Sequence, residues 1–151
     1  MACSTSKTNV EVNKSNSHVA YDSITNLIVH DLYFLDRQPT FPERGYEGFV
    51  SYIIRNYEDT SQAGIYHKVK IKFVIDKKGH LIGARIAERQ EDNCCDEEEK
   101  IIKILESSPL WEPGVYKGKD INVLYWLRFS YAVSEEGKIV HTGTTLLDGT
   151  Y

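Results

Sequence analysis

The sequence predicts an α+β fold in which two helices pack on one face of a three-stranded, or slightly larger, antiparallel sheet, in the core order α-β-β-α-β. Two kinds of periodicity indicate this fold. Apolar residues recur at helical spacing in 46–57 and 101–105, and they alternate at strand spacing in 69–75 and 121–133. A Gly-containing turn at 76–79 joins the first two strands as a hairpin. A right-handed crossover would then place the last strand beside the first, with the last strand at a sheet edge.

Length and composition fit one domain that needs neither a structural metal nor disulfides. The chain has 151 residues, 41% hydrophobic and 26% charged, with a formal net charge of −4. A folded chain of this length buries roughly two-thirds of the surface that its unfolded form exposes. The acidic balance disfavours nucleic acid and anionic membranes as main partners. No apolar run approaches the ~20 residues of a membrane helix, so we expect no transmembrane segment.

The chain begins with a polar stretch, and we expect residues 1–20 to be a disordered leader or tether. Ser, Thr, Asn and Lys dominate it, so it buries too little apolar surface to offset its ordering entropy. Residues 21–37 contain short apolar runs that predict one or two short strands packing on the domain. Cys3 follows Ala2, as the lipidated cysteine of a bacterial lipoprotein follows a small residue. The simpler alternative is a chance cysteine, because the apolar part of a signal is missing.

The first helix and the hairpin follow in order along the chain. One helical face carries the apolar residues Tyr46, Phe49, Val50, Ile53, Ile54 and Tyr57. In 68–75, apolar residues alternate with Lys68, Lys70 and Lys72, which is typical of a strand with one buried and one wet face. In the returning strand, 80–88, we expect one apolar face, formed by Ile82, Ala84 and Ile86.

The second helix begins at the acidic run Asp96–Glu99. Acidic side chains there cap the helix and interact favourably with the positive end of its dipole. A calcium loop would need ligands at alternate positions with a central glycine, so we interpret the run as a cap. Four apolar residues face inward, namely Ile101, Ile102, Ile104 and Leu105, and Pro109 ends the helix.

The last predicted strand, 121–133, carries apolar residues on both faces. Leu124 and Trp126 lie opposite the main apolar face. A solvent-facing side would not normally carry both, so another segment of the chain or a partner should cover them. Residues 134–151 form an extra C-terminal tail, in which 139–147 could run back as a further strand.

No catalytic or metal-binding motif stands out. The three cysteines, Cys3, Cys94 and Cys95, form neither a disulfide framework nor a zinc-type spacing. The five histidines are scattered, and no nucleophile is paired with a base. We therefore expect no catalytic residue, no metal and no cofactor.

Four segments occur in an order that is typical of one known family. They are PTFP at 39–42, KVKIKFVIDKKGHL at 68–81, SPLWEPG at 108–114 and KGK at 117–119. With the helices between them, they resemble the C-terminal domain of the TonB energy transducers. The resemblance implies a TonB C-terminal-like domain over 38–133.

The resemblance implies a non-catalytic binding module in the periplasm or envelope of a Gram-negative bacterium. Members of the family bind the TonB box, an extended peptide of an outer-membrane transporter, by adding it as a strand to the edge of their last strand. The docking edge implied here comprises Asn122, Val123, Leu124, Tyr125, Trp126, Leu127, Arg128 and Phe129. The loop after the first helix, with Asn56, Tyr57 and Glu58, would be a second contact.

Departures from the family pattern leave an alternative open. Glu58 stands where the family has the proline of a Tyr-Pro element, and Glu43-Arg44-Gly45 keeps one of two expected glycines. The sequence contains no membrane helix or proline-rich linker. The alternative is a structural or interaction protein of the envelope, lipid-anchored through Cys3, that keeps the fold. Its edge strand would be closed by its own tail or by formation of a homodimer.

Overall fold

The computed structural model describes residues 18–87 and 95–147, except for the side chains of Cys95, His141 and residues 144–147. Its strands are β1 (Val19–Asp22), β2 (Leu27–His30), β3 (Tyr66–Ile75), β4 (Leu81–Ile86), β5 (Gly114–Tyr116), β6 (Lys119–Ile121), β7 (Val123–Val133) and β8 (Ile139–Leu147). Its helices are α1 (Gly45–Asn56), a short 3-10 helix (Thr60–Gln62) and α2 (Cys95–Glu106). Within the described ranges, neither α-helix is long and apolar enough to cross a lipid bilayer.

In the described part of the chain, six strands form one mixed sheet with β7 inside it. The strand order is β1-β2-β7-β3-β4, and β8 also pairs with β7, while β5 and β6 form a small separate sheet. The predicted three-stranded antiparallel sheet is therefore wrong. The first two strands and the tail each add to the sheet, and β2 runs parallel to β7 where His30 meets Val123.

The expectation that the last strand of the core lies at an edge is wrong for a related reason. One side of β7 pairs antiparallel with β3 from Ala132 to Val123. The other side pairs antiparallel with β8, from Val133 to Trp126. Since β7 has 11 residues, it is long enough to hold β8 near its C-terminal end and β2 at its N-terminal end.

The helices pack on one face of the sheet and enclose the main core. Phe49 of α1 lies 4.8 Å from the Trp111 ring, and Phe73 of β3 stacks on Tyr125 of β7 at 5.3 Å. Burial of each large side chain of this kind contributes about 1.5–3 kcal/mol. The largest fully buried side chains are Tyr57, Tyr125, Tyr131, Phe49, Phe73, Phe129, Ile53, Ile71, Ile75, Ile101, Leu105 and Leu127.

The β1–β2 hairpin crosses part of the opposite face of the sheet. His30 at one end of the hairpin meets β7, while Asp22 forms an ion pair with Arg85 of β4. Val29 of the hairpin and Val74 of β3 are buried, and neither belongs to the helix-side core. The second apolar face of β7 is thus partly covered from within the chain, and Leu124, the partner of Val74, is half-buried.

A β-bulge changes the face that β4 presents. The register shifts between Lys72 and Val74, so that Ile82 pairs with Val74 while Ala84 and Ile86 pack on the helix-side core. The expectation that all three apolar residues of β4 share one face is therefore wrong. The extra residue of the bulge falls near Gly83 of β4. A Cβ atom at Gly83 would lie 2.5 Å from Cγ2 of Thr25 in the β1–β2 hairpin.

The ends of the predicted segments shift slightly. Val19 and Ala20, assigned to the leader, belong to β1, and the strands expected within 21–37 correspond to the rest of β1 and to β2. Residues 1–17, with Cys3, lie outside the described residues. In the extra tail, β8 occupies Ile139–Leu147.

Candidate protein-binding site

The edge implied as a docking site, Asn122–Phe129, is paired on the side away from β3. The Asn122 carbonyl accepts a hydrogen bond from the His30 N–H at 2.8 Å, and its side-chain amide donates to the Ile28 carbonyl at 3.1 Å. Farther along, Trp126–Phe129 pairs with Thr144–Leu147 of β8. Among the described residues, the stretch between these two contacts is Leu124–Tyr125, which is too short to accept an added strand.

The side chains of this segment alternate between the two faces of the sheet. Four face the helices and are buried, namely Val123, Tyr125, Leu127 and Phe129. The Tyr125 hydroxyl donates a hydrogen bond to the Pro39 carbonyl at 3.0 Å, so its polar atom is used within the core. On the other face, Leu124 and Trp126 are half-buried and Arg128 is exposed. Of the eight implied docking residues, Arg128 offers the most accessible side chain.

Trp126 is the centre of a cation–π cluster. The Lys70 and Lys72 amino groups lie 5.2 Å and 4.2 Å from its ring centroid. Lys72 is the direct cross-strand partner of Trp126, and Lys70 is the partner of Arg128. The partly solvent-exposed face of β3 and β7 therefore carries an ordered arrangement of basic side chains around one aromatic ring.

The second implied contact, the loop with Asn56, Tyr57 and Glu58, lies near the other end of β7. Tyr57 is buried, and the Asn56 amide donates to the Tyr52 carbonyl at 2.8 Å. Glu58 lies 3.7 Å from the amino group of Lys138, in the turn that leads to β8. The loop is thus packed against the β7–β8 turn, and the structure does not bring it together with Asn122.

A buried carboxylate lies beneath this loop. It belongs to Glu97, in the acidic run Asp96–Glu99 that we interpreted from the sequence as a helix cap. Glu97 is 7% exposed, and its Oε1 atom accepts hydrogen bonds from the hydroxyls of Tyr57 and Tyr131, the latter at 2.5 Å. Burial, followed by the hydrogen bond to Glu97, raises the pKa of both tyrosines. The sequence does contain a signal of this burial, because Glu97 precedes the apolar Ile101 by one helical turn and lies on the same face of the helix.

An ion pair borders this buried cluster. Lys100 of α2 pairs with Asp59, and the hydrogen bond from Lys100 lowers the pKa of the Asp59 carboxyl. The Lys100 amino group also lies 5.6 Å from the Tyr57 ring centroid. Together with the hydrogen bond from Tyr131 of β7 to Glu97, these contacts join the segment after α1, the start of α2 and β7, which indicates a role in holding the domain together.

The Asp76 carboxylate, in the turn between β3 and β4, has a local structural role. An Oδ1 atom of Asp76 accepts the backbone N–H groups of Lys78 and His80, both at 2.9 Å, and so closes the β3–β4 turn. In the part of the chain that the structure describes, no group of three or more His, Cys, Asp or Glu side chains could hold a metal ion.

Comparisons of the chain with protein-family models, with curated proteins and with solved structures found no match. The resemblance to the TonB C-terminal domain therefore rests on the four sequence segments quoted above. The geometry of the β7 edge is the observation that bears most directly on function.

Proposed function

We propose that the protein is a non-catalytic interaction protein of the bacterial cell envelope, related to TonB C-terminal domains, in which the C-terminal strand β8 closes the edge that the family uses for docking. The pairing of β8 with β7 from Val133 to Trp126 carries the proposal. The envelope location rests on the resemblance to the TonB C-terminal domain, and the anchoring through Cys3 rests on the Ala2-Cys3 pattern. Mass spectrometry of the N-terminal peptide that contains Cys3, in protein made from the full gene, tests whether Cys3 is lipidated.

The closed edge supports this function over docking of a transporter peptide. Strand addition needs a row of unpaired backbone N–H and C=O groups. A peptide that replaced β8 would form about as many backbone hydrogen bonds as β8 gives up, and it would also lose translational freedom. The competition therefore favours the strand that is already attached.

The connection between the two strands strengthens that argument. The turn is closed by hydrogen bonds from the Gly137 N–H to the Ser134 carbonyl at 2.9 Å and from the Ser134 N–H to the Lys138 carbonyl at 2.7 Å. A short connection gives the attached strand an effective concentration of at least the order of millimolar. A peptide at micromolar concentration should not displace it.

An amide-resolved NMR titration with uncharged TonB-box-like peptides tests the proposal. It uses the full chain carrying Ser130→Cys and Gly143→Cys, with Cys3, Cys94 and Cys95 changed to Ser, which can be locked by a disulfide between β7 and β8. We expect no saturable shift in Asn122–Phe129 in either the oxidised or the reduced protein. Saturable shifts in the reduced protein that vanish on oxidation would contradict the closed edge and favour transporter docking.

A further inference from the structure

Among the residues that the structure describes, five basic side chains share the face of the sheet opposite the helices. Alternate positions of β3 point the same way, and cross-strand partners share a face. The five are Lys68, Lys70, Lys72, Arg85 and Arg128, and we call them the basic face. The whole chain has a net charge of −4, so positive charge is concentrated here against the overall balance.

Two pairs of like charges face each other directly within the basic face. Lys70 is the cross-strand partner of Arg128, and Lys72 is the partner of Arg85. Like charges in this position destabilise a sheet. The Asp22 carboxylate pairs with Arg85, while Arg128 remains exposed to solvent. A local arrangement that costs stability is expected where a site serves binding.

Trp126 orders the centre of the basic face. The amino groups of Lys70 and Lys72 lie over its ring, at 5.2 Å and 4.2 Å from the centroid. Their positions are thereby partly fixed before a ligand arrives, which reduces the entropy lost on binding. The ring is engaged by ammonium groups, so it does not offer the free stacking platform of single-stranded nucleic-acid sites.

We propose that the basic face binds an extended acidic segment of a partner protein. Lys68, Lys70 and Lys72 follow one another at about 7 Å, twice the rise per residue of a strand. Carboxylates at alternate positions of an extended peptide have the same spacing. The exposed Arg128 guanidinium can accept one carboxylate in a bidentate pair. This inference rests on the proposed function as an interaction protein and names the chemistry of its partner.

The test is an NMR titration of the full chain with the peptide Thr-Asp-Thr-Asp-Thr-Asp-Thr, compared with the same peptide carrying Asn for Asp. We expect shifts at Lys68–Lys72, Arg128 and the Trp126 indole N–H with the acidic peptide. The affinity should fall steeply as salt rises from about 0.05 to about 0.5 M, because these groups are partly exposed. No comparable shifts should occur with the Asn peptide.

Arg128→Glu makes the test specific. The new carboxylate would lie opposite Lys70, so the melting temperature should rise by a few degrees while peptide affinity falls about tenfold. The matched control is Lys78→Glu, which makes the same charge change in the exposed β3–β4 turn. It should leave both quantities nearly unchanged.

Three results would overturn the inference. They are an Arg128→Glu variant that binds the acidic peptide normally, acidic-peptide shifts confined to other surfaces, and tighter binding of anionic phosphatidylglycerol vesicles or of single-stranded RNA than of the peptide. The titration that tests the closed edge of β7 uses uncharged peptides and monitors Asn122–Phe129. A failure of the proposed closed edge is therefore distinguishable from a failure of the acidic peptide to bind. In the disulfide-locked protein the acidic peptide should still bind.

Discussion

Ser130 of β7 and Gly143 of β8 are direct cross-strand partners, and a Cβ atom built on Gly143 would lie 3.9 Å from the Cβ atom of Ser130. The mean separation of Cβ atoms in disulfides is about 3.8 Å. This pair therefore reports directly on whether the C-terminal strand lies along β7.

The Ser130→Cys, Gly143→Cys variant should form a disulfide readily. In a background with Cys3, Cys94 and Cys95 changed to Ser, the oxidised protein should be more stable than the reduced protein by about 3 kcal/mol, since the bond closes a short loop. Thiol counting and denaturant unfolding measure the two effects. The offset pair Ser130→Cys with Thr142→Cys is the control, because its side chains point to opposite faces. Equally ready oxidation of the offset pair would contradict the register.

Tyr131→Phe should destabilise the fold by about 1.5–3 kcal/mol, because it removes a hydrogen bond to a buried charged group. The Glu97 carboxylate would keep the Tyr57 hydroxyl as a partner. Denaturant unfolding measures the loss, and Tyr66→Phe is the control because Tyr66 is 53% exposed. Equal stability of the two variants would argue against the buried cluster.

Stability should fall as the pH rises above about 10, where tyrosines of the unfolded chain ionise. Burial, together with the hydrogen bond to Glu97, raises the pKa of Tyr57 and Tyr131, and burial raises that of Tyr125. The unfolded state then releases protons that the native state keeps, so unfolding becomes more favourable with pH, and below about 9 there is no such effect. Ultraviolet titration of phenolate, alongside circular dichroism, measures this. Ionisation of all the tyrosines while the protein is still folded would contradict the raised pKa of these three.

Gly79→Ala should destabilise the protein far more than Gly118→Ala. Both glycines have positive φ, +91° and +76°, so both variants carry backbone strain of about 1–3 kcal/mol. At Gly79 the Cβ atom would also lie 2.0 Å from the Trp111 carbonyl oxygen, whereas at Gly118 nothing lies within 4 Å. Thermal unfolding of the two variants isolates the clash. Similar melting temperatures would mean that the Trp111 loop does not lie against the turn.

Local patterns in the sequence predicted the elements of the core. The spacing of Phe49 and Ile53 marked α1, and the alternation of Ile71 with Phe73 marked β3. These patterns depend on the burial of one face, which is expressed within a few residues of the chain. The apolar pair Leu124 and Trp126 also predicted that something covers the second face of β7.

Pairings between distant segments could not be read in the same way. Nothing local in 27–30 indicates a parallel contact with Val123. Nothing local near Gly83 indicates that Thr25 of a separate hairpin lies close to the bulge. Glu97 has the sequence context of a helix cap, and its burial depends on Tyr57 and Tyr131, which lie far from it in the chain. These features depend on tertiary context that overrides local preference.

The most direct test of the closed edge is amide-resolved NMR of the isotope-labelled, unmodified full chain. We expect inter-strand nuclear Overhauser effects between Ser130 and Gly143, together with slow amide exchange in Ile139–Leu147. Random-coil chemical shifts in Ile139–Leu147, with fast exchange of the outer amides of Trp126–Phe129, would show that the edge of β7 is open and would contradict the account.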